Sequence, residues 1–276
     1  MYVKLLQYCC LIGLITCNIG SFAFSQGKLR VPISKSHPRT SLNWDQTPFD
    51  LAANTLPPNY QGHKLLDIYY KLALPTPKGE FETAEEYQSR VALWKTKNIL
   101  GRISPTDYLA FKITDVLSPN VLLVEYNADK EEMSFTVDLK YEYFDRAFIR
   151  WLELSYESKK RGTYIGITPM NVKFRVATYA ARSIGVAIKG NVKDVKIKTA
   201  YQREQALRDK QYLKALAIGT LSEPYKWTNT TVVKASLDHP EEWRTEYLGL
   251  CLELKAIWIV HQITGEVVAK MTLPGR

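Results

Sequence analysis

The sequence predicts an α+β fold: a mostly antiparallel sheet with helices packed on one face. Three observations lead there. After Gly101, apolar residues recur with a period of two in a succession of runs. Turn-forming clusters at 118–120 and 127–131 separate some of these runs, which favours near-sequential antiparallel pairing over crossovers. Before Gly101, and again after Tyr201, the period lengthens to that of a helix. Apolar residues make up 46% of 276, enough to bury a substantial core in one large domain or two small ones.

Residues 1–23 read as a secretory signal peptide. Lys4 precedes a mostly apolar run, and Ser21 and Ala23 are spaced for cleavage after Ala23. The alternatives are an uncleaved N-terminal membrane anchor, whose run Gln7 and Asn18 interrupt, and a lipid on Cys17, where Thr16 is a poor predecessor. No later stretch reaches spanning length, so the mature chain is expected to carry no membrane span. Cys9, Cys10 and Cys17 lie in the leader. Cys251 alone remains, in an apolar run, and reads as a buried small side chain with no internal disulfide to form.

Residues 24–60 are rich in Pro, Ser, Thr and Asn and read as an extended lead-in, with Trp44 and Phe49 as anchors to the body at 61–276. A short helix follows: Leu65, Ile68, Tyr69 and Leu72 share one face, and Pro75 stops it. In KGEFETAEEYQSR, at 78–90, Thr83 and Glu86 form a capping box for a second helix, and Glu86 and Arg90 are spaced for a side-chain pair. Phe81 precedes the cap as a staple or as a residue tucked under the sheet. Glu80 is the acid that local helix physics leaves over.

Three strands are then predicted around Leu109, Phe111 and Ile113, around VLLVEYNAD, and along Met133, Phe135, Val137 and Leu139. RWLELSYES and TYIGITP read as a hairpin across the basic knot SKKRG at 158–162. NVKFRVATY reads as a further strand continuing into SIGVAI. Residues 201–219 read as a long helix. From Leu248 to His261 one long strand is predicted, central to its sheet and bent or bulged partway. Its Leu248, Leu250, Leu252, Leu254, Ala256, Trp258 and Val260 line one face. A turn at Thr264 and Gly265 leads into a last strand. Residues 189–230 would join two sheet-forming halves, 61–188 and 231–273.

The formal charge is +9, and +8 once Lys4 leaves with the leader. That favours an anionic envelope component or a protein partner. Export, dispersed bases and the lack of a recognition motif argue against nucleic acid. There is no G-x-G-x-x-G, P-loop, H-E-x-x-H or G-x-S-x-G sequence, and His37, His63, His239 and His261 are scattered. No metal site and no cofactor are expected. Glu80 and Glu82, with Asp67 approaching from the helix before, have the local density for a carboxylate pair. Tyr141, Tyr143, Phe144, Phe148 and Trp151 cluster, with Arg146 and Arg150 between them. Exposed, they would grip a sugar or a protein strand; packed, they are a short helix or an irregular crossing on the core.

Glu80, Phe81, Glu82, Thr83, Tyr87 and Arg90, followed by Tyr126, Ala128 and Asp129, carry a resemblance. This pattern resembles that of uncharacterised exported proteins of Gram-negative bacteria with an EFET…Y..R segment and a YDAD-like turn. Asn127 stands where that turn has an acid. The likeness spans 78–139 and implies an envelope location, with no known activity. Glu80, Glu82, Arg90 and Asp129 are therefore candidates for a ligand site or a structural clamp. The expected function is that of a non-catalytic exported binding or envelope-support protein. The alternative is a hydrolase acting on an envelope polymer through carboxylates.

Overall fold

In the computed structural model, the described residues are 44–113, 122–144, 147–188 and 194–273, without the side chains of 140–149. The leader and the first part of the lead-in lie outside them. The chain folds as α+β with mostly antiparallel strands. Helix α1 (Leu65–Lys71) buries Leu65, Ile68 and Tyr69, and the adjoining Leu72 is buried too. Helix α2 (Ala84–Lys95) carries the full capping box, with Thr83 Oγ1 accepting from Glu86 N at 3.2 Å and Glu86 Oε2 from Thr83 N at 2.8 Å. No helix among the described residues is long and apolar enough to cross a membrane.

The strands are β1 (Leu109–Ile113), β2 (Leu122–Asn127), β3 (Glu132–Val137), β4 (Lys140–Phe144), β5 (Ala147–Ile167), β6 (Lys173–Ile188), β7 (Val195–Ala200), β8 (Leu213–Val233), β9 (Glu241–His261) and β10 (Val267–Thr272). Seven form one sheet in the order β1-β8-β9-β6-β5-β4, with β10 also on β9. β8 lies antiparallel along one edge of β9. The other edge is shared end to end: β6 pairs parallel with Glu241–Leu252, and β10 antiparallel with Ala256–Val260. β2, β3 and β7 make a second, three-stranded sheet. Its apolar face, with Met133, Phe135 and Val137 fully buried, packs into the same core as Leu152, Val186, Leu250 and α1. The alternation predicted for β3 is therefore present, and Leu139 extends it.

Two expectations give way to tertiary pairing. The basic knot is no turn: β5 runs through it unbroken for 21 residues, because β6 pairs with it from Arg150 to Ile167. A bulge between Lys160 and Gly162 absorbs the crowding of Lys159, Lys160 and Arg161. The helix predicted at 201–219 ends at Asp209 as α3 (Arg203–Asp209), and Leu213–Gly219 is a buried strand between β1 and β9. Its Ala and Leu residues suit a helix, but two neighbouring strands satisfy this backbone. β5 and β6 share one sheet with β8 and β9.

The bulge expected in β9 also exists, opposite Ile218 and Gly219, where Lys255 has no register partner. It flips the faces beyond it. Ile257 and Ile259, not Ala256 and Trp258, continue the row of Leu248–Leu254 in the main core. Ala256, Trp258 and Val260 turn to the opposite face and pack with Phe49 of the lead-in, whose ring meets Trp258 edge-on at 5.0 Å.

Candidate functional site

The first candidate is the segment before α2. Glu82 takes Arg90 in a two-pronged ion pair, Oε1 to Nε at 2.8 Å and Oε2 to Nη2 at 2.9 Å. Glu82 Oε2 also accepts from Gly79 N at 3.0 Å. The remaining guanidinium donors reach Thr76 Oγ1 at 2.6 Å, Thr76 O at 3.1 Å and Pro77 O at 3.3 Å. The Arg90 bonds, followed by the Gly79 amide, hold the Glu82 carboxyl down to about 2. Every donor of Arg90 is thus spent on closing the 76–82 loop over the helix start. The pair expected between Glu86 and Arg90 does not form, because Glu86 is committed to the cap and Glu82 presents both oxygens to the guanidinium.

The other residues of this pattern stand apart. Phe81 is 94% exposed and is neither staple nor core. Glu80 is exposed, and Asp67 pairs with Lys64 at 2.9 Å. Asn127 Oδ1 closes its own turn by accepting from Asp129 N and Lys130 N at 3.0 and 3.1 Å. No bond joins that turn to the Glu82–Arg90 clamp among the described residues. Of the predicted aromatic surface, Arg150 and Trp151 are 8% and 2% exposed, so they do not lie open. Tyr143, Phe144 and Phe148 belong to the β4–β5 hairpin, and their side chains lie outside the described residues, as does Arg146 altogether.

The second candidate comes from the long strands. Beyond Ile184 and Leu248, the core-facing side of the large sheet loses its cover of α1 and the small sheet. The sequence changes there from aliphatic to charged. In cross-strand register, Glu157, Arg182, Glu246 and Thr230 form one row; Lys159, Ala180 and Arg244 form the next. Thr178 and Glu242 form a third, beside Arg161 at the bulge. Together these rows line an open trough of about 680 Å³ on a four-stranded arm of β5, β6, β9 and β8. Lys226 Nζ of β8 lies 4.9 Å from the ring of Tyr69 on α1.

The charges in the trough are of two kinds. Arg182 Nε is held by Glu246 Oε2 at 3.0 Å, and Glu242 Oε2 accepts from Tyr164 OH at 3.1 Å. Lys159, Arg161 and Arg244 make no hydrogen bond or ion pair among the described residues, and all three are exposed. They surround Ala180, whose small side chain leaves the floor between them low. Uncommitted cations over a shallow polar floor can hold phosphate or carboxylate groups. Among the described residues, no three His, Cys, Asp or Glu side chains converge as metal ligands.

The chain matches no family model, no curated protein and no solved structure.

Sequence reasoning passed over Lys159, Arg161, Arg182, Arg244 and Glu246. A signal existed: Glu157, Lys159 and Arg161, and Glu242, Arg244 and Glu246, are charges at alternate positions. That is the pattern of one polar strand face. It was masked by reading the first set as a turn and by starting the long strand only at Leu248.

The arm's opposite face is aromatic. Tyr179 and Trp243, adjacent in the parallel pair, stack at 4.3 Å with planes 9° apart. Trp243 Nε1 donates to Glu241 Oε2 at 3.0 Å. Closer to the core, Trp151 donates from Nε1 to Ser183 Oγ at 3.1 Å and meets Tyr247 edge-on at 5.8 Å.

Proposed function

We propose that the protein is a non-catalytic binding protein of the bacterial envelope, and that its charged trough takes an extended anionic polymer. Lys159, Arg161 and Arg244 carry this reading: they are three cations without partners among the described residues, placed around the low floor at Ala180 in an open trough. Arg182, by contrast, is already neutralised by Glu246. A groove open along the strands suits a chain rather than a compact small molecule. The clamp at Glu82 and Arg90 is structural in this account, since its hydrogen-bonding capacity is consumed internally.

Location in the envelope rests on the leader at 1–23 and on the resemblance of 78–139 to exported proteins. Recovery of a chain beginning at Phe24 from the bacterial envelope would support it, and retention of Met1 in the cytoplasm would refute it.

Binding is tested by calorimetry with polyphosphate and polyglutamate over a salt series. The reading expects affinity that falls with salt, and a loss of roughly tenfold or more on combined reversal of Lys159, Arg161 and Arg244 to Glu. Reversal of Lys198, which pairs with Glu132 on the small sheet, should leave binding unchanged. Since the Lys198 reversal changes the charge by about a third as much as the triple reversal, a loss of about a third of the triple variant's binding free energy would reduce the effect to net charge. Cleavage of either polymer would overturn the non-catalytic reading.

A further inference from the structure

The arm does not end squarely. β6 pairs with β9 only from Ala177 onward, and β4 leaves β5 at Trp151. Residues 164–167 and 173–176 therefore pair with each other alone among the described residues. Four residue pairs, at about 3.4 Å each, carry this two-stranded finger roughly 13 Å past the start of β9. Its turn is tied together. Thr168 N donates to Val172 O at 3.0 Å, Asn171 N to Thr168 O at 2.9 Å, and Val172 N to Thr168 Oγ1 at 3.1 Å. On the trough side Phe174 lies over Gly166, and Tyr164 OH donates to Glu242. The other side and the turn are apolar and open: Ile165, Ile167, Met170 and Val172 are 58%, 59%, 88% and 46% exposed. Arg175 stands opposite Ile165, and Lys173 opposite Ile167. Both cations are exposed and make no hydrogen bond or ion pair among the described residues. From 158 to 176 the chain has five cations and no acid.

We propose that this finger docks on an anionic lipid bilayer, with its turn in the boundary between headgroups and acyl chains and with Lys173 and Arg175 on lipid phosphates. Three features select a bilayer as the occupant. The first is order. Met170 and Val172 lead at the turn, and the cations are set back from it, as headgroup charge is set back from hydrocarbon. The long stems of Lys173 and Arg175 can lie along the isoleucines opposite them while their charged ends stay at the headgroups. The second is charge. Five cations without an acid complement an anionic lipid surface, and they repel a second copy presenting the same finger. The third is shape. A tip two strands wide falls short of the roughly 800 Å² per partner that a stable protein interface uses, whereas a bilayer needs no matching surface. Entry is shallow. The amides of Thr168, Asn171 and Val172 are paired within the turn, and Pro169 has no N–H to satisfy. The outer edges of the two strands have no partner strand among the described residues and belong at the wet level of the headgroups. The docking stands whether or not the trough binds a polymer.

Met170→Trp in the full chain reads the tip directly. Its emission, taken as the difference from the unsubstituted protein, should shift blue on adding phosphatidylglycerol vesicles and stay unchanged with phosphatidylcholine alone. In vesicle flotation, Ile167→Ser with Met170→Ser changes no charge and should weaken retention on phosphatidylglycerol roughly tenfold, with polyphosphate binding intact. Lys173→Glu with Arg175→Glu should weaken retention by at least as much. These positions are exposed, so circular dichroism should not change; the emission measurement decides the matter even if a paired variant disturbs the finger. A tip emission that phosphatidylglycerol leaves unshifted overturns the proposal. So does a blue shift that appears without lipid as protein concentration rises, because a second copy then covers the tip. Flotation lost on reversal of Lys159, Arg161 and Arg244 to Glu but kept in both finger variants would put the headgroups in the trough, and would overturn it equally.

Discussion

Gly185 and Gly249 stand directly opposite each other on the parallel strands β6 and β9, and the indole of Trp151 lies across both. A Cβ on Gly185 would come 2.8 Å from the indole, and one on Gly249 2.7 Å. The two glycines thus form a slot for an aromatic plate on the face away from the trough. Gly185→Ala and Gly249→Ala are each expected to destabilise the fold by roughly 1–3 kcal/mol through overpacking. Chemical denaturation measures this. Polymer binding should be unaffected, because the trough lies on the other side of the sheet.

The Glu82–Arg90 clamp carries a pH signature. The Glu82 carboxyl sits at about 2 in the fold, below its ordinary value. Its contribution is therefore complete above the ordinary carboxylate range, about 4.3, and is lost as pH falls through that range towards about 2. Amide exchange in the 76–82 loop should accelerate over that window. Glu82→Gln or Arg90→Ala should release the loop at neutral pH, while Glu80→Gln should leave it closed.

His63 ties the lead-in to the sheet. It is 1% exposed, its Nδ1 accepts from Ala110 N at 2.9 Å, and its Nε2 donates to Thr47 O at 2.8 Å. His63→Ala strands a buried amide and a carbonyl, each costing about 1–3 kcal/mol. A loss of roughly 2–4 kcal/mol in unfolding free energy is the expected outcome. His63→Gln, able to satisfy one of them, should lose less.

Within the trough, Arg182 is silenced by Glu246 at 3.0 Å. Glu246→Gln should free a fourth cation and tighten polyanion binding about fivefold, the equivalent of about 1 kcal/mol for an exposed charge. The sign is the informative part. A structural role for the pair predicts weaker binding and a less stable arm, which calorimetry and thermal unfolding separate.

Much of this was legible in the chain itself. Thr83 and Glu86 specify a cap that uses only neighbouring backbone, so the start of α2 could be read to the residue. Met133, Phe135, Val137 and Leu139 alternate cleanly, because one side of β3 meets the core and the other does not. Leu248 to Val260 could be recognised as one central strand because it is a long, nearly continuous apolar run, buried on both faces over most of its length. The partner of Arg90 could not be read, since Glu86 and Glu82 were both within reach and only the closed loop chose between them. Nor could the passage of β5 through SKKRG, because nothing local shows that β6 runs alongside for its whole length.

What the sequence alone determined was local: the helical periods before Gly101, the alternation of β1 and β3, and the centrality of β9. Those depend on residues close along the chain. What only the tertiary structure decided was where each face is covered. The Lys255 bulge exchanges the faces of β9, and the cover over β6 and β9 ends at Ile184 and Leu248. Beyond those residues, pairing between strands distant in sequence gathers Lys159, Arg161 and Arg244 on one face. Burial is a property of what lies on the other side of a sheet, and no stretch of one strand encodes that by itself.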